Sequence, residues 1–388
     1  MKNREYDDFI FKCKRKINDS PLNLSSDIVD DLSHCVFQNP NQIKYKAEEI
    51  RQKFIDNIVD NLLVFENKFT ENKGVVHWCI AYDDFFEQLV KLLKNKKIKA
   101  VNSFESSFNT ELGLDPSLKN EGIHTIDKNN TCSIYEPDLG IVNTGSLFSI
   151  FKSAYEMELV LSSKLKIFIL PINKFICNIK DIELFSHIYS IYRENVDFPF
   201  LSAVFNPDNS AEGTESHVFL VDNGRSNILA TKNQRKALLC IDCGACKRVC
   251  PVYNTISDEP YNNVFTGPLA NVVLPFLENF ESHKHLSFNS VLCGNCSKIC
   301  PVNIPLTDLM IENRNFFFES KIMDFGDNMF AFKLKKFLID RSKMNKKSWR
   351  KGMKIKLIIP SSVRKTRQMP KFADESFNVI RTKQQLDR

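Results

Sequence analysis

"CIDCGACKRVCPVY", Cys240 to Tyr253, and "SVLCGNCSKICPVN", Ser290 to Asn303, hold seven of the twelve cysteines in this 388-residue chain. In the first stretch Cys240, Cys243, Cys246 and Cys250-Pro251 stand at the C-x2-C-x2-C-x3-C-P spacing of bacterial ferredoxins. A loop this tight can fold around the corners of an iron-sulfur cube, where each iron asks for one thiolate. The second stretch has Cys293, Cys296 and Cys300-Pro301, the last three members of the same pattern, with Ser290 where the first would stand. Glycine beside cysteine lets the backbone wrap, and the chain places one inside each motif although it has only 12 in all.

In two-cluster ferredoxins the fourth cysteine of each motif ligates the other cluster. On that rule cluster one takes Cys240, Cys243, Cys246 and Cys300, and cluster two takes Cys250, Cys293 and Cys296. The open corner of cluster two could carry the Ser290 hydroxyl, water or hydroxide, or a partner's ligand, or it could lack its iron and leave a [3Fe-4S] cluster. The expectation is two [4Fe-4S] clusters, the second with a non-cysteine ligand. Zinc also favours Cys-x2-Cys pairs, but it does not call for a third cysteine at the same spacing followed by Cys-Pro, and His283 and His285 lack a finger-like spacing.

Outside the motifs the pattern is that of an α/β protein. Ile50, Phe54, Ile58, Leu62, Phe65 and Phe69 recur every three or four residues, which predicts an amphipathic helix over 47–70. "VVHW", a helical pattern through Phe85, Phe86, Leu89, Val90 and Leu93, and "IKAVNS" then read as strand, helix, strand. Further strands are expected at "LGIVNT", "KIFILPI" and "HVFLVD", with a helix at Asp181 to Arg193. Alternation of this kind predicts a mostly parallel sheet covered by helices. The expected organisation is an α/β domain with an N-terminal helical segment over 1–235, a small helical two-cluster ferredoxin-type domain over 236–315, and a basic helical tail over 316–388. Gly267-Pro268, between the motifs, reads as a turn or helix start.

Charge is unevenly distributed. Between Lys333 and Arg367 there are 14 Lys and Arg against Asp340 alone, a local +13 within a chain whose formal net charge is +6. Such a run is commonly a solvated face, but with Trp349 and the apolar Ile355 to Ile359 it points to docking on a protein or at the inner face of a membrane, and no nucleic-acid partner is expected. No apolar run approaches a membrane span, and the N-terminus is too interrupted by charge for a secretory signal, so a cytoplasmic location is expected. In that reducing setting the scattered Cys13, Cys35, Cys79, Cys132 and Cys177 read as inert or buried thiols.

Two weaker signals stand apart from the cysteines. Thr144, Gly145 and Ser146 follow an apolar run and could offer amides and hydroxyls to an anion, or form a plain strand-end turn. "DNGRSNIL", Asp222 to Leu229, contains a turn, and its Arg225 could bind an anion or pair with a carboxylate. No nucleotide-binding loop is present and no catalytic residue can be assigned.

With "VDNGRSNILA" leading into the first motif, then "NVFTGPLANVVLPFL", then "SVLCGNCSKICPVNIPLTDLM", the chain resembles the iron-sulfur B subunit of the bacterial L-lactate utilisation complex. The likeness extends weakly over most of the chain, including "TELGLDPSLKNEGIHTID" and "MPKFADESF". Two departures stand out: the segment between Ile126 and Asp138 is short, and "VNTGS" stands where the family usually has a glutamate before Thr-Gly. The resemblance implies a non-catalytic or co-catalytic electron-transfer subunit that works with two partner subunits and a downstream electron acceptor in oxidising L-lactate to pyruvate. It carries the cluster ligands over to Cys240, Cys243, Cys246, Cys250, Cys293, Cys296 and Cys300. The alternative function is the same relay in another 2-hydroxy-acid or quinone-linked dehydrogenase complex.

Overall fold

The structure, a computed structural model, describes residues 8, 12–13, 40–104, 106–125, 131–194, 201–209, 213–261, 265–319 and 381–383. Residues 1–313 form one compact unit and residues 314–388 a second. The basic run, Trp349, Cys35 and "MPKFADESF" lie outside the described residues.

Among the described residues ten strands build two sheets. They are β1 (Val75–Cys79), β2 (Ala100–Ser103), β3 (His124–Thr125), β4 (Cys132–Tyr135), β5 (Leu139–Ile141), β6 (Ser146–Ile150), β7 (Leu165–Pro171), β8 (Phe175–Ile176), β9 (Ser202–Phe205) and β10 (Glu215–Val221). The first sheet runs β1-β10-β7-β4-β2-β3, and every pairing in it is parallel. This is the α/β architecture that the alternating pattern predicts. β7 is buried along its whole length, as a central parallel strand covered on both faces must be. Its Phe168 and Leu170 enter one core while Ile167 and Ile169 enter another, and β10 divides Val218 and Leu220 from Phe219 and Val221 in the same way.

One face is covered by the helix Tyr82–Asn95, whose Phe85, Leu89 and Leu93 are fully buried. The other core takes in the second sheet, β8-β5-β6-β9, in which β5 and β9 each pair antiparallel with β6 and β8 lies parallel to β5. Sequence periodicity did not separate this small sheet from its surroundings, because β5 and β8 are only two or three residues long. "LGIVNT" is therefore a strand only over Leu139–Ile141, after which Val142–Thr144 turns as a short 3-10 helix.

All six apolar positions of the expected N-terminal helix are buried. They lie on two helices rather than one, Pro40–Asp56 and Ile58–Glu71, separated at Asn57. At this break the Asn61 side-chain amide donates to the Phe54 carbonyl at 3.1 Å, meeting an acceptor at the end of the first helix. Phe54 and Phe65 both pack on Phe175 of β8, with centroids 5.4 and 4.9 Å away. The same core continues through Leu238, Leu239, Val272 and Val273 to Cys296 and Cys300, so the cysteine segment is built onto the α/β layers. Among the described residues no helix is long and apolar enough to cross a membrane.

Candidate iron-sulfur centre

The two cysteine motifs repeat each other in three dimensions at an offset of fifty residues. Asp242 and Leu292, each just before a cysteine, have φ of 59° and 55°. Gly244 and Gly294, each just after it, have φ of 71° and 83° and open the short helices Ala245–Arg248 and Asn295–Ile299. A side chain at either glycine would be strained by the backbone alone, which is the local reason for the Cys-Gly-x-Cys pattern. Each helix then presents the next cysteine, Cys246 or Cys296. Cys250 and Cys300 follow, both succeeded by proline; Cys250 caps the helix Pro251–Ile256.

Backbone amides are turned toward the sulfurs. The Asp242 N–H donates to Cys240 Sγ at 3.3 Å, the Tyr253 N–H to Cys250 Sγ at 3.4 Å and the Ile304 N–H to Cys300 Sγ at 3.4 Å. Such bonds stabilise sulfur carrying negative charge. In the second motif the Leu292 N–H donates to Ser290 Oγ at 3.1 Å, reproducing with oxygen the bond between Asp242 and Cys240.

The thiols fall into two electrostatically coupled sets. Cys246 is coupled to Cys240, Cys243 and Cys300, and Cys300 to Cys240. Cys250 is coupled to Cys296 and Cys293. Cys300 thus lies near thiols of the first motif and Cys250 near thiols of the second. Cys246 is also coupled to Cys296, so the sets adjoin. Burial pushes the thiols of Cys240, Cys243 and Cys300 up to about 12 and that of Cys246 well above its ordinary value. Four thiols that resist ionisation are costly to charge unless a metal takes up the negative charge, so this donor set fits an iron-sulfur core and would release protons on taking it up. Among the described residues no three His, Cys, Asp or Glu side chains converge as a site for a single metal ion.

The second set lines a small cavity with Ser290, Asn271 and Thr307. Thr307 Oγ1 lies 3.8 Å from Cys296 Sγ and 3.0 Å from Ser297 Oγ. Cys293, which also lines the cavity, is exposed. The first set adjoins a larger cleft of about 700 Å³, part of it open to solvent, where the cysteine segment meets the α/β layers. Cys240, Phe108, Phe265 and Leu269 line it, as do two ion pairs whose partners are far apart in the chain, so that sequence reasoning missed the Lys174 pair and could not name the partner of Arg225. In one, Lys174 Nζ lies 2.6 Å from Glu136 and 3.7 Å from Asp242. Burial opposes the Lys174 charge, but these carboxylates outweigh it and hold the ammonium above the usual lysine range.

In the other, Arg225 meets Glu111 in a bidentate pair, so the carboxylate reading of this arginine describes its environment. Thr144 ends the turn after β5, its carbonyl accepting from Asn72 Nδ2 at 2.9 Å, and Ser146 begins β6. Asn143, before Thr144, accepts the Ile179 N–H at 3.1 Å. Gly267-Pro268 opens the helix Gly267–Leu277, as expected of a helix start. Burial raises the Cys13 thiol to about 11 and those of Cys79 and Cys132 to about 12, and raises that of Cys177 as well.

Residues 236–304 match the family model described as a 4Fe-4S dicluster domain. Lactate utilization protein B of Shouchella clausii is 47% identical over 115 residues, 29% of this chain and 24% of that protein. Lactate utilization protein B 1 of Bacillus mycoides is 24% identical over 71% of this chain and 71% of its own length. The matches of high identity thus span about a quarter of the curated relatives' length. The crystal structure of a DUF162 family protein from Deinococcus radiodurans, 12% identical, covers 42% of this chain and 98% of that one at a TM-score of 0.31. The resemblance to lactate utilization protein B holds, and the cysteine segment is a two-cluster [4Fe-4S] domain.

Proposed function

We propose that this chain is the iron-sulfur electron-transfer subunit of a complex that oxidises L-lactate to pyruvate. Cys240, Cys243, Cys246 and Cys300 hold one cluster, and Cys250, Cys293 and Cys296 hold the other. When bound, each cluster supplies a one-electron redox centre, while the oxidation of a 2-hydroxy acid releases two electrons. The observation that carries this reading is that both motifs meet in one packed core, where Cys240, Cys243 and Cys246 lie against the cluster that includes Cys296 and Cys300. The residues of this chain ligate, bury and hydrogen-bond the clusters. In this reading the substrate step belongs to partner subunits. The names of the relatives support lactate as the substrate class.

The test is to mix the full chain, purified without oxygen, with its partner subunits and L-lactate and to follow its clusters by electron paramagnetic resonance. Reduction by L-lactate, and none by lactate without the partners, is the expected result. Clusters that stay oxidised with L-lactate but are reduced by glycolate or glycerol phosphate would move the relay to another dehydrogenase complex. A relay serving lactate also requires that deletion of the gene abolish growth on L-lactate in a strain lacking other lactate dehydrogenases.

A further inference from the structure

Fifty residues separate Cys240 from Ser290, and the two occupy the same place in the repeat. Each accepts the amide of the residue two positions on, Asp242 for the thiol and Leu292 for the hydroxyl. Ser290 thus stands at the fourth corner of the second thiol set. It is a poor substitute there. Its side chain is shorter than cysteine's, and a metal-oxygen bond, about 2.1 Å against about 2.3 Å to sulfur in zinc sites, extends the shortfall. A serine hydroxyl also ionises far less readily than a thiol.

A second observation comes from the opposite wall. Asn271, on the helix Gly267–Leu277, is only 1% exposed and lines the same cavity as Ser290, Cys250, Cys293 and Cys296. Its Nδ2 donates to the Asn289 carbonyl at 2.9 Å, which fixes which end of the amide is which. Its Oδ1 is buried and has no hydrogen-bond partner among the described residues. A buried acceptor left alone costs about 1 to 3 kcal/mol, so the site asks for a donor. Neither iron nor sulfide can donate a hydrogen bond, but an oxygen ligand that keeps a proton can.

We propose that the fourth corner of cluster two is closed by a solvent oxygen, water or hydroxide, which donates to Asn271 Oδ1 and sits against the Ser290 hydroxyl. The proposal rests on the two-cluster reading above and adds to it an exchangeable coordination position in one of the two clusters. Cys293, one of the ligands proposed for that cluster, is exposed. No electron or group transfer at this corner is part of the proposal.

The test uses the full chain, purified without oxygen and reconstituted with iron and sulfide, in ordinary water and in water enriched in oxygen-17. Electron-nuclear double resonance on the reduced protein is expected to show oxygen-17 coupling, retained in Ser290→Ala and lost in Ser290→Cys, whose thiol reaches the corner. Mild ferricyanide oxidation should convert wild type and Ser290→Ala to the [3Fe-4S] signal, reversibly on adding ferrous iron, while Ser290→Cys resists. Absence of oxygen-17 coupling from an intact second cluster would overturn the solvent ligand. If Ser290→Ala alone then altered the signal, the serine would be the ligand; if only Asn271→Leu did, the amide oxygen would be. Iron analysis giving a single cluster per chain would instead overturn the two-cluster reading itself, which separates the two failures.

Discussion

Arg51 reaches from the helix Pro40–Asp56 to Leu239, the residue before Cys240, and donates from Nε to its carbonyl oxygen at 3.1 Å. The same guanidinium donates to the carbonyls of Leu238 at 2.9 Å and Asn173 at 2.5 Å, and also to that of Phe175. Its side chain is wholly buried, so one arginine fastens the start of the cysteine segment to the second sheet. Replacement by methionine should strip these carbonyls of their charged donor, although Asn173 Nδ2 still meets Leu238 and the Phe175 N–H still meets Asn173. It should lower stability by about 2 to 4 kcal/mol, seen as a lower urea midpoint. Lysine should restore only part, because an ammonium lacks the planar fork. A methionine variant within about 0.5 kcal/mol of wild type would show that this anchor contributes little.

The exchange of Cys250 and Cys300 between the thiol sets is open to a spectroscopic test. Cys300→Ala should remove the same paramagnetic signal as Cys240→Ala, and Cys250→Ala the same one as Cys293→Ala. Each pair should also share its loss of iron, about three to four atoms per chain. If Cys250→Ala and Cys240→Ala share a signal instead, each motif holds its own cluster.

Glu111 and Arg225 form a buried bidentate pair, with Nη1 to Oε1 at 3.0 Å and Nη2 to Oε2 at 2.7 Å, and the guanidinium lies 4.8 Å from the Phe108 ring centroid. Glu111→Gln leaves a buried positive charge and should cost about 3 to 5 kcal/mol. Glu111→Leu combined with Arg225→Met should recover much of that loss. A double-mutant cycle in urea measures the coupling, and strictly additive losses would mean that the two residues act independently.

His77 and His217 on neighbouring strands meet at 2.9 Å, Nε2 to Nδ1, so one ring donates and the other accepts. Burial is the main cause that lowers both below the ordinary histidine value of 6.5; for His77 the His217 charge adds to it, while Glu215 partly offsets it for His217. The unfolded chain therefore binds protons more readily in this window. The stability tied to these rings is complete above about pH 6.5 and is lost as the pH falls toward the lower folded values. From about pH 7 to about pH 5.5 the urea midpoint should fall, and His77→Gln should flatten that slope. An unchanged slope would show that other groups set the acid sensitivity.

What could be read in the sequence was what depends on short-range spacing. Ile50 to Phe69 announced a buried helical face because neighbours on a helix lie three or four residues apart, and the cysteine pattern announced its cofactor because one loop wraps most of a cluster. Neither signal predicts a contact across the fold. Arg51 looks like any helix-surface arginine until Phe175 and Leu239 are placed beside it, and Lys174 shows nothing of its distance to Glu136. Asn271 sits in the apolar stretch "LANVVLPF", where nothing marks the orphaned end of its amide. The break at Asn57 was equally hidden, since the apolar period runs through it without interruption.

If Cys300 completes the cluster of Cys240, Cys243 and Cys246, as proposed, an order of events during synthesis follows. The nascent chain exposes its first three thiols long before residue 300 has left the ribosome, and until then no cluster can have all four of these ligands. Cys250 waits likewise for Cys293 and Cys296. On the proposed ligand exchange both clusters wait for the second motif, and a truncation between the motifs should forfeit both centres at once.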